Sequence, residues 1–334
     1  MKKFNVAVVG ASGMVGGELL RLLESRRFPV GEFHAFNSGR KAASVVFRGK
    51  KYACAAPTLS ALKKADIAFF VSTDEVARRF APALAAAGTW CIDDSSYFRL
   101  AAGVPLVIPE VNGAELKPSK KLIAGPNCTL TGAAVALAAI HRKFRVAELR
   151  MATYQAVSGA GKAAMKQLEG ELAAYFKKGG AAASESCFPH PIAFNLFPQV
   201  GGFDAEGNSG EENKVEGELK KIWGDKKIKI SCTAVRVPVL RGHSLAVWFR
   251  TAKPCSLGAV KKELGRTTGL KFCARPQDYP TPLANGQRTE IVYAGRLRKA
   301  RTAANEFQLW IVSDNLYKGA ALNSVQIAER IARL

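Results

Sequence analysis

Apolar and polar positions along the chain follow two different rhythms. In the first part, short apolar runs alternate with stretches of helical spacing. Residues 4–9 form a β-branched apolar run, and residues 14–25 put Val15, Leu19, Leu22 and Leu23 on one helix face. Residues 33–37 read as a second strand. The run DIAFFV at 66–71 is almost continuously apolar, as expected of a strand buried on both faces. A helix follows at 74–87, with strands at 90–93, 106–108 and 122–124. This alternation predicts an α/β domain with an N-terminal doubly wound (Rossmann) parallel sheet.

After Cys128 the rhythm changes. Helices are predicted at 131–142, 162–178 and 211–223. Strands are predicted at 147–157, 228–237, 244–251, 289–294 and 307–313, and a last helix at 315–334. Long strands with few helices between them predict a second, α+β domain with a mixed or antiparallel sheet. The expected domains are residues 1–128, completed by the helix 315–334, and residues 129–314. The stretch 201–213 (GGFDAEGNSGEEN) is the most loop-like.

Composition sharpens this picture. With 48% hydrophobic and 23% charged residues among 334, the chain is not a disordered tail, and its length suits about two domains. No apolar stretch approaches the roughly 20 residues that cross a bilayer, so no membrane partner is expected. The start, Met1-Lys2-Lys3 followed by 4–9, is short for a signal peptide and leads through glycines into a charged helix; it reads as the first strand. The seven cysteines are scattered, odd in number and lack a C-x-x-C pair. That argues against a disulfide framework and against a metal site, and for a reducing cytoplasm. The charge of +22 raises nucleic-acid binding. The basic residues fall mostly in isolated pairs, however. The one cluster, Arg296-Leu297-Arg298-Lys299-Ala300-Arg301, has no interleaved aromatic residue and reads as a solvated turn between strands. No nucleic-acid partner is expected; a broad positive field would draw small anions.

Candidate chemistry begins at the first strand–helix junction. Gly10-Ala11-Ser12-Gly13-Met14-Val15-Gly16 has the spacing G-x-x-G-x-x-G. In a β-α-β setting such a loop presents unpaired amides and a positive helix end to a dinucleotide. Gly10, Ser12, Gly13, Met14 and Val15 are the expected contacts. The second strand ends in Asn37-Ser38-Gly39-Arg40-Lys41, with no carboxylate for ribose hydroxyls. Arg40 and Lys41, with Ser38, stand where a 2′-phosphate would lie, which favours NADP over NAD.

Cys128, in Gly125-Pro126-Asn127-Cys128-Thr129, follows a strand end and precedes a helix. The helix dipole there lowers a thiol pKa, and strand ends face the ligand crevice of such a sheet. Cys91 and Cys232 lie within strands and read as buried small hydrophobes.

These motifs are similar to those of the aspartate-β-semialdehyde dehydrogenase family over essentially the whole chain. The matching pieces are the glycine loop, Asp94-Ser95-Ser96-Tyr97-Phe98-Arg99, Gly125-Pro126-Asn127-Cys128 and Tyr154-Gln155-Ala156-Val157-Ser158-Gly159-Ala160-Gly161. Further matches are Ser231-Cys232-Thr233-Ala234-Val235-Arg236-Val237-Pro238-Val239 through Gly242-His243-Ser244, and Val312-Ser313-Asp314-Asn315-Leu316 through Lys318-Gly319-Ala320-Ala321. The resemblance implies NADPH-dependent reduction of aspartyl 4-phosphate to aspartate semialdehyde with release of phosphate, on the route to lysine, methionine and threonine. It implies a cytoplasmic homodimer, with the second domain making the catalytic site and the dimer contact.

The resemblance assigns Cys128 as nucleophile and His243 as general acid/base. The other histidines have structural explanations: His34 lies in a strand, His141 ends a helix, and His190 is flanked by prolines. The family uses Gln155 to orient the substrate or the thioester, Arg236 for the α-carboxylate and Glu211 for the ammonium. Lys214, Arg99 and Asn127 would serve the phosphate; Ser158, Gly159 and Asn315 would approach the cofactor. Read without the family, Glu211 and Lys214 are three apart on a helix and suit a solvated ion pair. The chain departs from the family at Ser12-Gly13-Met14, where Thr-Gly-Ala is more common, at Lys41, where serine is common, and at Ser72-Thr73-Asp74-Glu75. The rival readings are a reductase of another acyl phosphate or of an acyl-CoA, and an inactive paralogue. The signature 236–243 and the pair Glu211/Lys214 favour aspartyl phosphate; an inactive paralogue would be free to lose Cys128 or His243.

Overall fold

A computed structural model describes every residue except Met1, Arg40, Lys41 and 179–185. Two compact units emerge, Met1–Asn127 with Ala320–Leu334, and Cys128–Gly319.

The first unit contains β1 (Phe4–Val9), β2 (Val30–Phe36), β3 (Ser44–Phe47), β4 (Lys50–Ala53), β5 (Ile67–Phe70), β6 (Trp90–Asp93) and β7 (Leu122–Ala124). Five of these form one sheet in the order β2-β1-β5-β6-β7, with every neighbour parallel. This is the doubly wound sheet that the alternation predicts. All four residues of β5 are buried, which explains its lack of polar alternation. Leu106 makes only an isolated bridge to Ala124, so 106–108 is not a strand. The hairpin β3–β4 was not expected. Its two-residue turn, Arg48-Gly49, has positive φ at both positions (50° and 73°), a type I′ geometry usually marked by Asn-Gly.

The second unit contains β8 (Val146–Gln155), β9 (Lys229–Arg236), β10 (His243–Thr251), β11 (Leu270–Phe272), β12 (Val292–Lys299) and β13 (Glu306–Ser313). They form a mixed sheet in the order β11-β12-β13-β10-β8-β9, antiparallel except for β8/β9 and β11/β12. The helix Cys128–Phe144, apolar from Gly132 to Ile140, packs against β10, β12 and β13.

Three expectations shift here. The predicted strand 289–294 is β12, which continues through a bulge between Gly295 and Arg298, with Arg296 at φ 57°. Four of the six residues of the basic cluster, Arg296 to Lys299, therefore belong to a strand rather than a turn. The predicted helix 315–334 begins as a π-turn at Tyr317–Ala321 and becomes α-helical over Leu322–Ile331. The helix after the cysteine starts at Cys128 itself, three residues earlier than predicted.

Register positions the chemistry. β8 and β9 run parallel and end together, Gln155 opposite Arg236. β10 runs antiparallel to β8, with Ser244 opposite Tyr154. The start of β10 thus meets the ends of β8 and β9 on one rim of the sheet.

Candidate active site

Cys128 is the first residue of its helix, where amides are unpaired and the dipole is positive. Gly319 packs against it: a β-carbon at 319 would lie 2.7 Å from Cys128 Cβ. Cys128 Sγ is 3.5 Å from Nε2 of His243, the first residue of β10. On the other side of the ring, the Ala156 N–H donates to His243 Nδ1 at 3.1 Å. Burial first, and the charge of Arg236 second, push the His243 pKa down to about 3. The ring is therefore neutral near pH 7.

The rim supplies the next groups. Glu211 Oε1 accepts from Thr129 Oγ1 and from Gln155 Nε2, each at 3.0 Å. Thr153 Oγ1 donates to Gln155 Oε1 at 3.0 Å, fixing the amide orientation. The helix Gly210–Trp223 is held by a Ser209/Glu212 capping box. Glu212 also accepts from Ala234 N at 2.8 Å, tying the helix start to β9. Arg236 is buried; its Nη1 donates to Ala156 O at 2.8 Å while its Nε has no partner among the described residues. Burial lowers the Arg236 pKa, with Cys128 and Glu211 opposing. A buried N–H without an acceptor is costly, so this guanidinium suits an anionic ligand.

Several expected residues fall differently. Glu211 is buried against Thr129 and Gln155 and forms no ion pair with Lys214, so the solvated pair is not present among the described residues. Lys214 is half-buried on the same helix. Ser158 Oγ and the Asn315 amide bond to each other, and Asn315 Oδ1 accepts from Gly242 N at 3.0 Å. Asn315 thus holds the backbone beside His243. Gly159 lies close to the cluster: a β-carbon there would be 3.1 Å from Arg236 Nη1 and 3.4 Å from His243 Nε2.

In the first unit, the glycine loop has the form a dinucleotide requires. Gly10 has φ 94°, and a β-carbon would meet Val71 O at 2.3 Å; one at Gly16 would meet Gly10 O at 2.3 Å. Gly13 caps the helix Met14–Ser25 with no side-chain hydrogen bond, which leaves the first-turn amides to a ligand. Ser12 is exposed, Met14 and Val15 half-buried. Ser72 Oγ, beside Gly10, is buried without a partner among the described residues. These features fit a bound nucleotide. Ser38 is exposed; Arg40 and Lys41 lie outside the described residues. Arg99 Nε donates to Gly125 O at 3.0 Å and Nη2 to Asp94 O at 2.7 Å. Asn127 is buried at the end of this unit. Burial first raises both Asp93 and Asp94 to about 6.

Sequence reasoning missed Thr129, Thr153 and the backbone of Ala156. Thr129 adjoins Cys128, but its partner is 82 residues away, so spacing carried no signal. Among the described residues no group of three or more His, Cys, Asp or Glu could hold a metal ion. Among the described residues, none of the seven cysteines forms a disulfide. No helix of the described residues is long and apolar enough to cross a membrane.

Two family models match: "Semialdehyde dehydrogenase, NAD binding domain" over residues 5–119 and "Semialdehyde dehydrogenase, dimerisation domain" over 137–318. The chain is 40% identical to an aspartate-semialdehyde dehydrogenase of Shewanella violacea, over 99% of this chain and 98% of that one. The aspartate semialdehyde dehydrogenase II of Vibrio cholerae is 36% identical, with a TM-score of 0.94 and 99% of each chain covered. The same enzyme complexed with ASA also has a TM-score of 0.94 at 36% identity, covering 100% of this chain and 99% of that one.

Proposed function

We propose that this chain, which belongs to the aspartate-semialdehyde dehydrogenase family, reduces L-aspartyl 4-phosphate to L-aspartate 4-semialdehyde with NADPH and releases phosphate. The observation that carries the reading is the cysteine sulfur at a helix head, 3.5 Å from a buried histidine nitrogen. The Cys128 thiolate attacks the acyl carbon: an S–C bond forms, the C–O bond to phosphate breaks, and phosphate leaves with that electron pair. When bound, the cofactor supplies the hydride that reduces the thioester. The alkoxide so formed closes to the aldehyde and expels the sulfur as thiolate. The reaction is reversible.

In this reading His243 is the hydrogen-bonding partner of the sulfur, and the family resemblance gives it acid–base work. Arg236, with its unpartnered Nε, receives the substrate α-carboxylate as a guanidinium pair. Glu211 receives the ammonium, and Gln155, oriented by Thr153, the substrate or thioester carbonyl. Lys214, Arg99 and Asn127 serve the phosphate. The first unit binds NADP through Gly10, Ser12, Gly13, Met14, Val15, Ser38, Arg40 and Lys41, with Ser158, Gly159 and Asn315 of the second unit toward the nicotinamide. The second unit also makes a homodimer contact. Support for that contact is an apolar groove of about 420 Å³ on its sheet, lined in part by Trp248, Tyr279, Pro280 and Trp310. A cytoplasmic place on the route to lysine, methionine and threonine follows from the family.

The test is a coupled pair of assays on the purified protein. Aspartate semialdehyde should reduce NADP only when phosphate is present, and NADP should be preferred to NAD. Turnover of N-acetylglutamate semialdehyde or of an acyl-CoA in its place would move the substrate assignment. Absence of turnover with all of them would make the chain an inactive paralogue.

A further inference from the structure

We propose that the first unit carries a second anion site, at the opposite end of its sheet from the glycine loop, that takes the phosphate dianion of a small phosphate monoester. The site is a cavity of about 210 Å³ whose walls include Lys2, Arg26, Arg27, Glu329 and Arg333. Lys2 stands just before β1, and residues 26–29 join the helix Met14–Ser25 to β2. The glycine loop leaves the other end of β1, six residues or about 20 Å away. Loop and cavity are therefore separate places on one sheet.

Four of the lining residues are cations and one is a carboxylate. The carboxylate is already spent: Arg26 Nε donates to Glu329 Oε1 and Nη2 to Oε2, each at 2.7 Å. Lys2, Arg27 and Arg333 are exposed and have no anionic partner among the described residues. Two helices end beside the cavity, and basic side chains often serve at such ends to satisfy the last carbonyls. Here the backbone fills that role. Arg27 N donates to Glu24 O and Phe28 N to Leu23 O, the paired bonds of a Schellman turn, and Arg26 N takes Leu22 O. In the final helix Ala332 N, Arg333 N and Leu334 N donate to Ala328 O, Arg330 O and Ile331 O. The charged groups still unspent in the wall are thus three cationic side chains, donors without an acceptor of their own. Their field reaches Lys121, which precedes β7 and holds its ammonium 3.8 Å from the Trp90 ring centroid. Burial first, and Lys2 second, lower the Lys121 pKa.

Shape and chemistry narrow the ligand. Separate cations around one point suit a tetrahedral oxyanion, which accepts on several sides, better than a planar carboxylate that one guanidinium saturates. The cavity floor is apolar. Phe4 and Phe28 are buried there with ring centroids 6.0 Å apart, and Lys2 Nζ lies 5.5 Å from the centre of the Phe4 ring. An apolar stem rests on these rings while its phosphate meets the cations. The volume falls below the roughly 300–1,000 Å³ of pockets for drug-sized ligands, so the stem is short.

The test is calorimetric titration of the whole protein with phenyl phosphate and with inorganic phosphate. Phenyl phosphate should bind with a Kd on the order of 0.1–1 mM, more tightly than inorganic phosphate. The double variant Lys2→Ala/Arg27→Gly should weaken phenyl phosphate about 10-fold or more. Glycine is the residue most at home in the left-handed position that Arg27 holds (φ 53°), so the turn is kept and the melting temperature should not fall. Arg99→Ala, which touches the phosphate site of the proposed reaction, should leave this binding in place. Binding lost in Arg99→Ala and kept in the cavity variant would put the ligand at the reaction site and overturn the proposal. An equal loss in Arg78→Ala/Arg79→Ala, an exposed basic pair outside the cavity, would also overturn it, since the general positive field would then be the cause. Tighter binding of inorganic phosphate would remove the monoester assignment, and no binding of either would remove the site.

Discussion

The glycine loop and the cysteine cluster, each proposed to hold an anionic ligand, are built by opposite means. The loop uses backbone and excludes side chains: a single β-carbon at Gly10 would lie 2.3 Å from Val71 O. The cluster uses side chains, each with its own fixed partner: Cys128 with His243, Gln155 with Glu211, and Arg236 with Ala156 O. The loop is contiguous, seven residues from Gly10 to Gly16, whereas Cys128 and His243 are 115 residues apart. A site made of amides is damaged by adding atoms, and a site made of functional groups by removing them.

Three variants press on that difference. The largest effect is expected from Cys128→Ala, which should lower turnover by more than about 10³-fold. NADP affinity, measured by fluorescence titration, should stay unchanged. A parallel loss of cofactor binding would mean the two regions are not separable. Next is Gly10→Ala, which adds one carbon in a left-handed backbone position. Strain of this kind costs about 1–3 kcal/mol, so NADP should bind roughly 10-fold or more weakly. Alkylation of Cys128 by iodoacetamide should continue at the wild-type rate.

The smallest effect concerns stability. In the first unit, burial raises Asp93 and Asp94 to about 6 in the folded chain, against an ordinary carboxylate value of 3.8. The folded state therefore holds more protons between those values. Stability from these groups is full below pH 4 and is lost as pH rises through about 6. Asp94→Asn should flatten that part of the profile, leaving a melting-temperature gain of a few degrees at about pH 8 and little at about pH 5. A gain of the same size at both values would remove burial of the charge as the cause.

The same contrast explains what could be read from residues alone. The parallel sheet was legible because β1, β5 and β6 are short, apolar and separated by helical spacing. The glycine loop was legible because its geometry is local. The hairpin β3–β4 was not, since Arg48-Gly49 lacks the usual turn residues. The helix Leu257–Arg266 escaped because only Val260 and Leu264 are buried on it. In the cluster, Cys128 had a local signal at its helix head, while Thr129, Thr153 and Ala156 owe their positions to pairings across the sheet. Glu211 read as solvated because its burying partners are distant in sequence.

The antiparallel match of β8 with β10 sets Ala156 against His243. A slip of one residue would turn every side chain of β10 to the opposite face and carry the imidazole away from the sulfur. Catalytic competence therefore gauges correct strand alignment. A chain renatured with the strands misaligned would keep its secondary structure and be chemically silent.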